Sequence, residues 1–263
     1  MKQWRGLLMK EWINMKNLLY SLLVLDALLL FIVPSGFKRL FGIEEDLGTI
    51  RFMVGGILLF FHSLVALILL IISLEKDMIR QDIWLHTSAT MQKLVGTKII
   101  FTIFITSVSL LFISVVTFGQ FFISISNQSS ALIDMGKFLF FVNGITFITS
   151  IYLCVVGFFF WVIYQTLRMR IQYYAIPVTL VLFVLINYWW NKILSSAFFT
   201  NTFAIGTLPV NDFIPQSLLH DTLNVKLDFS TEPFLIGILL FITFITVLLF
   251  VSATTWLDKK VRV

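Results

Sequence analysis

Side chains able to hold a metal, move a proton or attack a carbonyl are few in this chain and scattered. Its three histidines, His62, His86 and His220, fall on three separate segments, and its single cysteine, Cys154, lies inside an apolar run. No Cys/His cluster with metal-ligand spacing results, and no intrachain disulfide, so packing is the role expected of Cys154. Two ionisable groups do stand in apolar surroundings, Asp26 and His62. A charge at the centre of a bilayer costs roughly 2.5 to 3.5 kcal/mol on insertion scales, so each needs a partner, a water-filled cavity or a function. A structural hydrogen bond, to a hydroxyl or to His62, is the role expected of Asp26. One intramembrane aspartate is too few for an aspartyl protease, and no G-x-S-G turn offers a serine nucleophile. The Glu44-Glu45 pair sits between two apolar runs, away from any ligand histidine. An enzyme is therefore not expected, nor a metal or a cofactor held by this chain.

The elements that must position these groups are set by composition. The 263 residues are 59% hydrophobic and only 13% charged, with a mean hydropathy of +0.96. A chain of that kind needs lipid as its solvent. A helix needs roughly 17 to 25 apolar residues to cross a hydrocarbon core. Six runs approach or meet that length: Leu18 to Val33, Phe52 to Leu74, Ile99 to Ile123, Phe138 to Tyr164, Tyr173 to Trp190 and Phe234 to Trp256. The predicted fold is an all-α integral membrane protein with six transmembrane helices, a single transmembrane domain over 1–263. With the N-terminus inside, only Lys38, Arg39, Arg51, Lys137, Lys192 and Lys226 of the 19 basic residues fall outside. That bias is the positive-inside pattern, so the net charge of +5 is a topology signal and needs no nucleic acid partner. Both termini are expected in the cytoplasm of a bacterial plasma membrane protein, with no cleaved signal peptide.

Residues 1–16 carry a stripe of Trp4, Leu8, Trp12 and Met15, joined by Leu7, beside Arg5, Lys10 and Lys16. That pattern predicts a helix lying in the membrane interface and leading into the first span. The external stretch, residues 191–232, is semi-apolar between Ile193 and Val210. Surrounded by protein, it could re-enter the membrane edge; otherwise it is an external loop with some apolar packing. The link from Glu75 to Lys98 is the most informative extramembrane piece. Glu75, Lys76, Asp77, Arg80 and Asp82 end the second run abruptly, and Thr87 or Ser88 can cap a new helix. Met91, Leu94 and Val95 would share one face of it, suited to a groove on a soluble partner or to the lipid surface.

In this link the sequence resembles the permease subunits of bacterial ABC exporters of the second type. The residues that carry the resemblance are Asp82, Trp84-Leu85, Thr87, Ser88, Ala89 and Thr90, then Leu94-Val95-Gly96-Thr97-Lys98, with Lys10-Glu11-Trp12 near the N-terminus. Ser88 stands where the family pattern has proline. The resemblance implies an amphipathic N-terminal helix, six spans and a cytoplasmic coupling helix between spans two and three that contacts an ABC ATPase subunit. Asp82, Trp84, Leu85, His86, Thr87, Ser88 and Met91 are the residues expected at that contact. It also implies a second permease subunit, identical or different, and ATP with magnesium in the partner ATPase, since no G-x-x-x-x-G-K-[ST] phosphate loop occurs in this sequence. Small permeases of the family serve peptide export and antimicrobial self-protection, the export of phenol-soluble modulins included. The 29 phenylalanines suit packing against lipid and neighbouring helices, or a wide apolar cavity for amphipathic cargo. An ion-coupled secondary transporter or a passive immunity protein is the alternative, although the spans show neither the several buried charges nor the repeated halves usual in such transporters.

Overall fold

The structure, a computed structural model, describes residues 2–42, 47–79, 89–124, 129–203, 206–208 and 234–261. Long helices dominate: α1 (Lys2–Phe41), α2 (Leu47–Met78), α3 (Met91–Ser124) and α4 (Ser129–Ile171). A 3₁₀ turn at Gln172–Tyr174 joins α4 to α5 (Ala175–Leu194), followed by the short α6 (Ala197–Thr202) and finally α7 (Ile236–Val261). Two short strands, β1 (Thr207–Leu208) and β2 (Phe234–Leu235), pair antiparallel with Thr207 opposite Leu235. Among the described residues five helical stretches are long and apolar enough to cross a membrane, and one of them, Ile133–Leu194, extends over 62 residues.

That long stretch contains two of the predicted spans, and it folds back on itself. Phe160 on α4 and Phe183 on α5 have ring centroids 5.0 Å apart, whereas a straight helix would hold them about 35 Å apart. The reversal falls at Gln172, a non-glycine residue with φ of 47°. Pro177 stands in the first turn of α5, where its missing N–H costs no helical hydrogen bond.

Contacts between helices fix how they run. Glu11 near the start of α1, Ser73 and Asp77 near the end of α2, and Lys98 near the start of α3 meet. Glu75 reaches Trp161 near the end of α4, and Ala253 and Leu257 of α7 join the same core cluster as Leu74 and Trp161. One end of the bundle therefore gathers the outer ends of α1 and α7, and it carries the ionic contacts between helices. At the other end Leu30, Leu59, Leu110, Ile113, Met135 and Leu139 form a second cluster, and Arg51 donates to Gln120 at 3.3 Å while stacking over Phe31. A third cluster, Met15, Leu19, Leu69, Phe101 and Ile105, fills the space between. Lipid gives helices no hydrophobic reason to associate, so close packing has to supply it. Gly55 is one such place: a Cβ there would collide with the Thr117 side chain across the α2–α3 contact.

The structure revises two sequence expectations. The stretch 1–16 is not a separate helix, because α1 runs unbroken from Lys2 to Phe41, through Pro34. Its stripe packs on protein: Trp12 sits edge-on to Phe101, Met15 is buried against Leu69 and Ile105, and Leu8 is half-buried. Met91 opens α3 rather than a separate coupling helix, and at 1% exposure it faces the core with Leu94 and Val95. Thr90, whose carbonyl accepts from the Lys93 and Leu94 amides, occupies the start of that helix. Of the stretch 191–232, α5 takes the residues to Leu194 and α6 packs through Phe199 on Phe241 of α7, while 204–205 and 209–232 lie outside the described residues.

Candidate functional site

Among the described residues, the ion pairs between helices gather at one end of the bundle. Lys98 projects from the second turn of α3 into the space between α1 and α2 and is 2% exposed. Its Nζ lies 3.0 Å from Glu11 Oε1, 2.8 Å from Asp77 Oδ2 and 2.7 Å from Ser73 Oγ, so all three N–H donors have an acceptor. The Ser73 hydroxyl donates to the second oxygen of Glu11 at 3.3 Å, and Lys10 approaches Asp77 from the solvent side at 3.4 Å. Two cations face two carboxylates, and the group is neutral as a whole. Removing charges from water is expensive, and their attraction offsets that cost only when geometry and hydrogen bonds are complete, as they are around Lys98. The cluster binds α1, α2 and α3 at a single point.

A second node ties α2 to α4. Glu75 Oε1 accepts from Trp161 Nε1 and from Gln165 Nε2, each at 2.7 Å, and Arg168 stands 3.9 Å from the other oxygen. Trp161, Gln165 and Arg168 follow at spacings of four and three, which places them on one face of α4.

Asp26 and His62 are both 3% exposed near the middle of their helices. Asp26 receives a hydrogen bond from the Ser109 hydroxyl on α3; of the two partners considered for it, the structure supplies the hydroxyl. The His62 Nε2 has no hydrogen-bond partner among the described residues. On α3 and α4, Ser114 donates to Asn143 at 2.9 Å. Around none of these groups do three metal-ligating side chains converge among the described residues.

Of the expected contact residues, Asp82, Trp84, Leu85, His86, Thr87 and Ser88 lie outside the described residues. Trp4 packs over Gly96 on α3. The ion cluster is what sequence reasoning missed. Its signals were present: Lys98 interrupts an apolar run, and Glu11 is the single acid in a basic segment. No protein-family model, curated protein or solved structure matches this chain. Its site has to be read from its own geometry.

That geometry makes the ionic end a junction of helices. Asp77 on α2 and Lys98 on α3 stand on either side of the link between these helices, and their 2.8 Å contact ties α2 to α3. Glu75 and Asp77 belong to the same helical turn, so α4 is drawn into the same junction.

Proposed function

We propose that this chain is the membrane-spanning permease subunit of an ATP-driven ABC exporter, carrying amphipathic or hydrophobic cargo such as peptides or antimicrobials. Energy comes from ATP hydrolysed in a separate ATPase subunit, and a second permease subunit completes the pathway. The observation that carries this reading is the ion pair of Asp77 and Lys98, which joins α2 to α3 on either side of their link. A partner pressing on such a link moves α1, α2 and α3 together, because Glu11, Ser73 and Lys98 join them. Through Glu75 the displacement extends to α4. The folded-back pair α4 and α5 supports six crossings, and the excess of Lys and Arg supports cytoplasmic placement of the ionic end. Asp26 is engaged by Ser109, which leaves an ion-coupled mechanism without a free midplane carboxylate at that position.

The test is reconstitution in liposomes with the ATPase encoded beside it. Amphipathic helical peptides should stimulate ATP hydrolysis, and sugars or inorganic ions should not. Failure to recover any ATP-binding partner from cells expressing the neighbouring genes, or transport driven by a proton gradient with the ATPase inactivated, would reject the reading.

A further inference from the structure

Between α1, α3, α4 and α7 an open-sided groove of about 520 Å³ begins at the ionic end of the bundle. Its walls are apolar, with Ile99, Val155 and Phe250 among them, and Thr90, Gln92 and Lys93 stand together at its outer end. Gly96 keeps the floor low: a Cβ there would already lie 3.8 Å from the Trp4 ring and 3.9 Å from the Phe250 ring. Lys93 is half-buried at the rim, and none of the ion pairs among the described residues includes its ammonium. It precedes Lys98 by five residues, about 7.5 Å along the helix axis, and so sits outward of the neutral cluster. Trp4, a residue type that favours the headgroup level, marks the same depth.

An apolar trough whose rim carries, among the described residues, a lysine outside every ion pair and two uncharged polar side chains fits an amphiphile with an anionic head. We propose that the groove binds one anionic phospholipid, with an acyl chain along Ile99, Val155 and Phe250 and the phosphate on Lys93, assisted by Gln92 and Thr90. The apolar wall gains little over bulk lipid by itself, since acyl chains are equally apolar solvent. Selectivity therefore comes from the head, where one lysine near the surface is worth about fivefold in affinity for an anionic lipid. The inference rests on the chain being embedded in a membrane and not on its being an exporter.

The experiment is native mass spectrometry of the full chain in detergent, titrated with phosphatidylglycerol and, separately, with phosphatidylcholine of the same acyl chains. Phosphatidylglycerol should be retained at least about fivefold more tightly. Lys93→Gln should abolish the preference, and Gly96→Leu should lower occupancy by both lipids. Should Gly96→Leu fail to fold, Thr246→Trp fills the groove from α7. Equal retention of the two lipids by the unaltered chain, or a preference that survives Lys93→Gln, would overturn the proposal. So would displacement of the lipid by excess glycerol phosphate, which would identify a site for a free anion. A chain that selects phosphatidylglycerol yet never stimulates an ATPase would retain the groove and lose the exporter.

Discussion

The ammonium of Lys98 lies 3.0 Å from the carboxylate of Glu11, which is 87 positions earlier in the chain and on a different helix. Both side chains are almost completely withdrawn from solvent. Their contact ties α1 to α3 at the ionic end, and it determines what a single substitution there should do.

Lys98→Met leaves Glu11 and Asp77 buried together without their shared cation. Breaking a buried pair from one side costs on the order of 3 to 5 kcal/mol, so thermal unfolding in detergent should fall steeply. Neutralising the acids as well, with Glu11→Gln and Asp77→Asn in the same chain, should recover most of the loss. A Lys98→Met protein as stable as the parent would refute the role given to the cluster.

Asp26 is assigned to architecture by its bond with Ser109. Ser109→Ala removes the donor and should cost about 1 to 3 kcal/mol, the range for a buried group left unsatisfied. Asp26→Asn keeps an acceptor oxygen for the same hydroxyl, and transport should survive nearly intact. Abolished transport with normal expression and an unchanged melting temperature would instead give Asp26 a part in moving substrate or protons.

Adjacent glycines on α2 offer an internal control for helix packing. Gly55 faces Thr117 at a separation that excludes a side chain, whereas a Cβ on Gly56 meets nothing within 4 Å. Gly55→Val should destabilise the bundle by about 1 to 3 kcal/mol through overpacking. Gly56→Val should change stability by well under 1 kcal/mol, and equal melting temperatures for the two would contradict the close α2–α3 approach.

The direction of the helices is open to labelling in cells. In a Cys154→Ala background, a cysteine at the exposed Phe41 should react with a membrane-impermeant maleimide added outside. One at the exposed Gln172 should react only after the cells are permeabilised. Labelling of both positions from the same side would break the arrangement in which α1 ends opposite the α4–α5 turn.

Hydropathy located the long apolar helices because lipid demands continuous apolar sequence, and Asp26 and His62 lie buried within two of them. It was silent on where helices stop. Backbone hydrogen bonding continues through Lys, Glu, Gln and Arg, which are good helix formers, so α1 and α4 reach 40 and 43 residues and overrun the predicted spans. The N-terminal stripe was read correctly as one face, but periodicity cannot distinguish a face turned to lipid from one turned to a neighbouring helix. Met15 and Trp12 meet α3 instead. The pairing inside the ion cluster is hidden from sequence for a related reason. Lys98 counts toward topology whether it is solvated or buried, and only the convergence of three helices reveals that Glu11 and Asp77 surround it.

The distance in sequence between Glu11 and Lys98 also orders events on the ribosome. At about 5 to 20 residues per second, Lys98 is made roughly 4 to 17 seconds after Glu11. Until then the first helix holds an acid with no counter-ion at the depth it finally occupies. Docking of the N-terminal helix therefore follows synthesis of the third helix, and a chain truncated before Lys98 should be recognised by membrane quality control as unassembled.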